Sequence, residues 1–393
     1  MDLGFIIGSG IQNGLIWAIL AIGVYITYRI LDIADLGVEG TFPLGACVVA
    51  ILISVGLHPI IATIIAMIAG ALFGILTGVL HTKLKIPAIL SGIITMTGLF
   101  TINMLVLGGF KGTSNMLNID SENTIFTKAL AFVNKNNDNL TLIVFAFIAI
   151  VALICLAIIL VKFIKNIVKK DFRSNLKVNI IHIVLMSVLS LFIFVSTVIV
   201  ITNVTNLINF EVLNEFLLDT IGTSILATGF IAGIILLMVF GVCYWFFGTE
   251  IGMSLRATGN NKRMAKAQGI NTNIMIILGL AISNGLVALC GAVYAQDFGS
   301  ANIEFGQGTI VIGLATIILG ESIFGRQDFK KSLISVIVGS VIYFILEAAA
   351  IELNVVNYLK LVRAGLIVFV LVIPLIKKQI NNKKRKLGGL SNA

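Results

Sequence analysis

Apolar runs long enough to cross a bilayer recur along almost the whole chain, and this restricts the fold more than any other feature. A helix rises about 1.5 Å per residue, so a hydrocarbon layer about 30 Å thick takes about 17–25 apolar residues per crossing. About eleven runs meet that length. They cover residues 4–28, 41–57, 60–81, 86–108, 140–161, 178–202, 221–247, 272–296, 307–324, 332–350 and 359–376. In lipid each backbone N–H and C=O must find an internal partner, and a helix supplies one for every residue. The expected fold is all-α, a polytopic bundle of transmembrane helices. Composition agrees: 58% of the 393 residues are hydrophobic and 11% charged. A soluble domain cannot bury so large an apolar share.

A formal charge of +9 would suggest an acidic partner for a soluble chain. Here the cations sit in short loops and the tail. Lys83 and Lys85 form one group, and Lys165, Lys169, Lys170, Arg173 and Lys177 a second. Arg256, Lys262, Arg263 and Lys266 follow, then Arg326, Lys330 and Lys331, and last Lys377 to Lys386 in the tail. With these spans every group falls on one side, which the positive-inside rule makes the cytoplasm. The N-terminus is then outside and the C-terminus cytoplasmic, with loops 109–139, 203–220, 297–306 and 351–358 facing outward. The charge answers to a lipid membrane, and no nucleic acid is expected. The first run has no Lys or Arg before it and no small-residue cleavage site, so it reads as a retained span.

Catalytic and metal signatures are absent from the sequence. Cys47, Cys155, Cys243 and Cys290 lie inside apolar runs and read as buried thiols. His58, His81 and His182 are scattered at segment ends. The string nearest to a phosphate loop, GGFKGTSN at 108–115, lacks the Lys-Ser/Thr pair. Neither a nucleophile elbow nor a pair of catalytic carboxylates appears. The chain is expected to carry no catalytic residue, metal or cofactor of its own, and not to be an enzyme.

One polar island interrupts the apolar pattern, GMSLRATGNNKRMAKAQGINT at 252–272. Thr258, Gly259, Asn260 and Asn261 read as a turn and helix cap, Lys262 to Gln268 as a short helix, and Gly269 as its stop. On that helix Asn261, Ala265 and Gly269 share a narrow face. A short surface helix held between two spans is a lever that a separate motor protein could move.

Other polar residues lie within or beside the spans. In RILDIADLGVEG at 29–40, Arg29, Asp32, Asp35 and Glu39 interrupt the apolar pattern. This stretch is either a loop or a broken segment entering the membrane to line a polar cavity. Ser283 and Asn284 lie inside the eighth span, where they either tie helices together or touch cargo. Asp35, Glu39, Ser283 and Asn284 are the candidate pathway residues. Small residues recur at helical spacing at Gly70, Gly74 and Gly78, along Ala281 to Ala295 and along Gly306 to Gly320, and read as packing faces.

Five blocks in order carry a resemblance: LDIADLGVEGTFPLGA at 31–46, IPAILSGIITMTGLFTIN at 86–103, GTEIGMSLRATGNNKRMAKAQGINT at 248–272, ISNGLVALCGAVYAQ at 282–296 and GQGTIVIGLATIILGE at 306–321. Together they make the chain similar to the permease subunits of ABC importers in the branched-chain amino acid and ribose group. Within that group it is most like the tryptophan/tyrosine-type systems. The resemblance implies a coupling helix in the third block, with Arg256, Ala257, Thr258, Gly259, Asn260, Ala265 and Gly269 as coupling residues and Asn261 on their face. It also implies a cytoplasmic ATPase that uses ATP, an extracellular substrate-binding lipoprotein, a permease homodimer, a small cargo such as an aromatic amino acid, and a place in the bacterial cell membrane. Such permeases are usually shorter, with one outer loop in the middle. On that basis residues 1–127 and 217–376 form the permease, 128–216 is an insertion whose two spans make a peripheral hairpin, and 377–393 is a basic tail. An ion-coupled secondary carrier is the rival reading, though the supply of intramembrane acids is thin for one.

Overall fold

The computed structural model describes residues 3–109, 112–119, 123–128, 223–325 and 329–352, with isolated positions between 361 and 372. The chain divides into two units, residues 1–130 with 223–393, and residues 131–222. The expected spans at 140–161 and 178–202 lie outside the described residues, as does most of 359–376.

The described chain is a helix bundle. Its helices are α1 (Leu3–Tyr25), α2 (Val38–Ser54), α3 (Pro59–Thr82), α4 (Ala88–Leu107), α5 (Thr223–Phe246), α6 (Glu250–Asn260), α7 (Lys262–Ala267), α8 (Thr272–Phe298), α9 (Thr309–Phe324) and α10 (Phe329–Glu352). Seven helical segments among the described residues are long and apolar enough to cross a membrane; α2 is apolar but shorter. One short strand pair accompanies the helices. Strand β1 (Met116–Asn118) pairs antiparallel with β2 (Ser300–Asn302), Met116 opposite Asn302. These residues lie beyond the spans, where short polar loops can pair with each other.

Local chemistry sets the helix ends. Pro59 opens α3 where its missing N–H is not needed, and the His58 ring accepts the Ile60 N–H. Asn271 caps α8 at Ile274, and Gly299 ends it in the left-handed region at φ 76°.

Helix α8 is the centre of the bundle and packs against α1, α2 and α3. The expected glycine face of α3 does this packing. A Cβ on Gly70 would collide with Ala288 and the Asn284 carbonyl, one on Gly74 with the Leu280 carbonyl, and one on Gly78 with Ile277. Across α2, a Cβ on Gly45 would overlap the Ala288 carbonyl, and one on Gly291 the Phe42 carbonyl. Without a solvent-driven hydrophobic force between helices in lipid, such close backbone approach is a principal source of association.

The described loops sort to two ends. At one end Arg256 lies 5.4 Å from the Phe329 ring and Lys330 lies 5.1 Å from the Tyr244 ring, which brings the polar island beside the α9–α10 junction. The opposite end carries the β pair.

Candidate functional site

The polar island forms two helices rather than one. Thr249 caps α6, its Oγ1 accepting the Gly252 N–H at 3.3 Å. Gly252, Leu255 and Thr258 form the buried stripe of α6. Thr258, Gly259 and Asn260, expected as a turn, are its last helical residues; Thr258 Oγ1 donates to the Ser254 carbonyl at 2.8 Å. Glycine survives in that helix because its neighbour is backbone: a Cβ on Gly259 would overlap the Ile30 carbonyl oxygen. Arg256 lies over Phe329, and the next residue, Ala257, is half-buried.

Asn261 then breaks the helix at φ −154° and caps α7, its Oδ1 accepting the N–H groups of Arg263 and Met264 at 3.1 Å. Gly269 ends the motif at φ 83°. The expected face of Asn261, Ala265 and Gly269 is corrected by burial. Ala265 is 0% exposed and turns into this chain, so it offers no surface to a partner. A short helix on a membrane protein must bury its slimmest side against its own bundle to stay in place. Its outward surface is Met264, 47% exposed, among exposed Lys262, Arg263 and Lys266.

The stretch 29–40 is a broken segment. Helix α1 widens into a π turn over Ile26–Ile30. Arg29 at its end forms an ion pair with Glu321 near the end of α9. Asp32 takes the left-handed φ of 56°, which a short polar side chain tolerates. The chain then runs non-helically into the bundle, where Asp35 is only 2% exposed. Its partner Asn284 lies about 18 Å along α8 from that helix's first residue. Irregular backbone at this depth needs side-chain partners. Asp35 Oδ1 accepts the Gly37 N–H at 2.9 Å and Oδ2 accepts Asn284 Nδ2 at 2.7 Å; Asn284 Oδ1 accepts Thr41 Oγ1 at 2.8 Å.

The four candidate pathway residues therefore separate. Asp35 and Asn284 form one satisfied buried network. Ser283 faces another way and donates to the Gly23 carbonyl of α1 at 2.8 Å, fully buried. These three hold helices together. Glu39 alone lines a cavity, of about 330 Å³, with Thr97, Thr101, Asn103 and Gln307. Its Oε1 accepts the N–H of Gly308, the residue that caps α9, at 3.2 Å. Pro43 has no N–H, so the Glu39 carbonyl lacks its usual helical donor. Gly306 packs on that carbonyl and on the proline ring.

Thus the starts of α2 and α9 meet at Glu39. Thr41, Asn103, Gln307 and Gly308 were not among the expected site residues. The sequence does hold a signal for this junction. The pattern G-T-x-x-x-G occurs at Gly40–Gly45 and again at Gly308–Gly313, opening each of the two helices. Among the described residues no group of His, Cys, Asp and Glu could hold a metal.

Comparison with known proteins fits this architecture. The family described as branched-chain amino acid transport system / permease component matches residues 6–166 and 172–371. A tyrosine transport system permease protein of Clostridioides difficile (strain R20291) is 29% identical over 361 residues, covering 92% of this chain and 88% of the relative. An uncharacterized protein, RP368, of Rickettsia prowazekii (strain Madrid E) is 36% identical over 99 residues, 25% of this chain and 35% of that one. No solved structure matches. The chain belongs to the family of branched-chain amino acid transport system permease components, multi-pass proteins that in bacteria sit in the plasma membrane.

Proposed function

We propose that this chain is the membrane subunit of an ABC importer for a small solute, with an aromatic amino acid as the leading cargo. A separate cytoplasmic ATPase drives it, an extracellular lipoprotein delivers the cargo, and two copies of the chain form the pathway. The cargo reading rests on the tyrosine transport permease to which the chain is similar. The observation that carries the motor reading is the α6–α7 platform. On α7 it presents Met264 among Lys262, Arg263 and Lys266, with Ile251 and Met253 also exposed on α6, and it rests through Gly259 on the backbone of Ile30. A groove with an apolar floor and an acidic rim would receive that surface. Force on α6 would then reach the π turn, the broken segment 31–37 and the start of α2 through packed backbone. Such a chain of rigid contacts can convert docking into alternating access.

Met264→Asp tests the docking. It is expected to leave membrane insertion normal, since Met264 is exposed, and to reduce co-purification with the ATPase by about tenfold or more, because an unpaired charge in an interface costs over about 1.4 kcal/mol. Unchanged co-purification would move the docking surface elsewhere. Ala265→Asp cannot serve here: a charge at a fully buried site disrupts the platform itself.

Sidedness has its own test. In a cysteine-free chain, Asn115→Cys and Asn302→Cys are expected to react with a membrane-impermeant maleimide on intact cells. Asn261→Cys is expected to react only after permeabilisation. The Ile303 N–H donates to the Asn115 carbonyl at 3.2 Å, so positions 115 and 302 must share a side. Labelling of 261 from outside would reverse the topology and remove the motor from this loop.

A further inference from the structure

We propose that the Glu39 cavity is a binding site for the ammonium group of a small solute; this rests on the importer reading and adds a cargo contact to it. Three observations converge. The first is the set of groups around the cavity. The Glu39 carboxylate lines it, and among the described residues no Lys or Arg forms an ion pair with Glu39. Asn103 is 0% exposed; its Nδ2 donates to the Gly40 carbonyl at 3.2 Å, while its Oδ1 is buried with no partner. Thr97 gives its proton to the Ile93 carbonyl at 2.8 Å, which leaves lone pairs on its oxygen. The Glu39 carboxylate and the Asn103 and Thr97 oxygens are acceptors open to a ligand. The ligand they suit is a compact group with several N–H donors, and an ammonium has three.

The second observation is how Glu39 is held. The Gly308 N–H fixes one carboxylate oxygen, and α2 and α9 both begin beside it. Helix starts carry partial positive charge, which stabilises a carboxylate there without neutralising it. A bare acid in a spanning region is costly and marks a function more often than a packing role. Its neighbour Asp35 shows the contrast, since both of its oxygens are occupied.

The third is size and placement. A cavity of about 330 Å³ lies at the small end of ligand pockets, which suits an amino acid or amine. Phe100 adds an apolar wall. Helix α4 also turns Thr97 and Thr101 to its exposed side, where hydroxyls have no use for lipid.

The test uses the full-length chain in membranes, with the four native cysteines replaced by alanine. Thr101→Cys is reacted with methanethiosulfonates carrying an ammonium (2-aminoethyl), a sulfonate (2-sulfonatoethyl) or no charge (methyl). Val55→Cys, at a turn position 79% exposed, supplies the intrinsic ratio of rates. The ammonium-to-sulfonate ratio at position 101 is expected to exceed that at 55 by about tenfold, the effect of one nearby charge at intermediate dielectric. Glu39→Gln, which keeps an acceptor for Gly308, is expected to bring the ratio back to that of position 55, and Glu39→Asp to retain most of the preference. Equal ratios at the two positions, no reaction at 101 with any reagent, or a preference that survives Glu39→Gln would each overturn the site. ATPase co-purification is measured on the same membranes. Retained ATPase with no charge preference removes this site and leaves the importer reading standing, and the converse result removes only the motor.

Discussion

Asn284→Leu is expected to destabilise the protein by about 1–3 kcal/mol or more, the cost of leaving a buried acid without one of its hydrogen-bond partners. The substitution keeps the branched shape of the side chain and deletes three hydrogen bonds, one to Asp35 at 2.7 Å, one from Thr41 at 2.8 Å and one to the Leu280 carbonyl at 3.0 Å. Asp35 would then hold a carboxyl group inside the bundle with only the Gly37 N–H beside it. The asymmetry of buried polar groups gives a sharper form of the test. Replacing both partners, as Asp35→Leu with Asn284→Leu, removes the orphaned acid, so the double variant is expected to lose less than the single one. Thermal unfolding in detergent over the double-mutant cycle measures the coupling. A single variant within about 0.5 kcal/mol of the parent, the range of ordinary surface changes, would mean that the network does not hold the broken segment.

This network also shows where sequence reading stops. The spans are legible because lipid imposes a length, and the described helices match the apolar runs at 60–81 and 272–296 to within a few residues. The face formed by Gly70, Gly74 and Gly78 is legible because its four-residue spacing is a property of one helix. The loop and the broken segment at 29–40 could not be separated, since hydropathy counts composition and not partners. What decides the matter is Asn284, about 250 residues away, meeting Asp35. Likewise Asp35 and Glu39 are equivalent acids in sequence. Only the packing of α8 and α9 gives one of them a full set of partners and leaves the other facing a cavity. Ala265 illustrates the reverse error. Asn261 and Gly269 are exposed while Ala265 is buried, so the three do not share a face: the helix covers only Lys262–Ala267, and six residues have no apolar moment strong enough to say which side is inward. The fully buried position of Ala265 gives that answer, and it moves the outward surface to Met264.

Gly259→Val is expected to lower ATP-driven uptake by about tenfold or more, beyond its effect on stability, which overpacking places at about 1–3 kcal/mol. The reason is geometric. Even the first carbon of a side chain at 259 would overlap the Ile30 carbonyl oxygen, and backbone on both sides cannot move aside as a flexible side chain can. Helix α6 must therefore lift away from the π turn. That turn is the point where α6 meets α1, and the Arg29–Glu321 pair ties it to α9. The two helix starts at Glu39 lie at the far ends of these two connections. The docking surface at Met264 is on α7 and is not altered, so the variant is expected to retain its ATPase while importing less per ATP hydrolysed. Gly241→Ala is the control, because a Cβ there meets nothing within 4 Å. A Gly259→Val protein that retains its ATPase and transports like the parent would show that force enters the bundle by another route, through α7 and the start of α8.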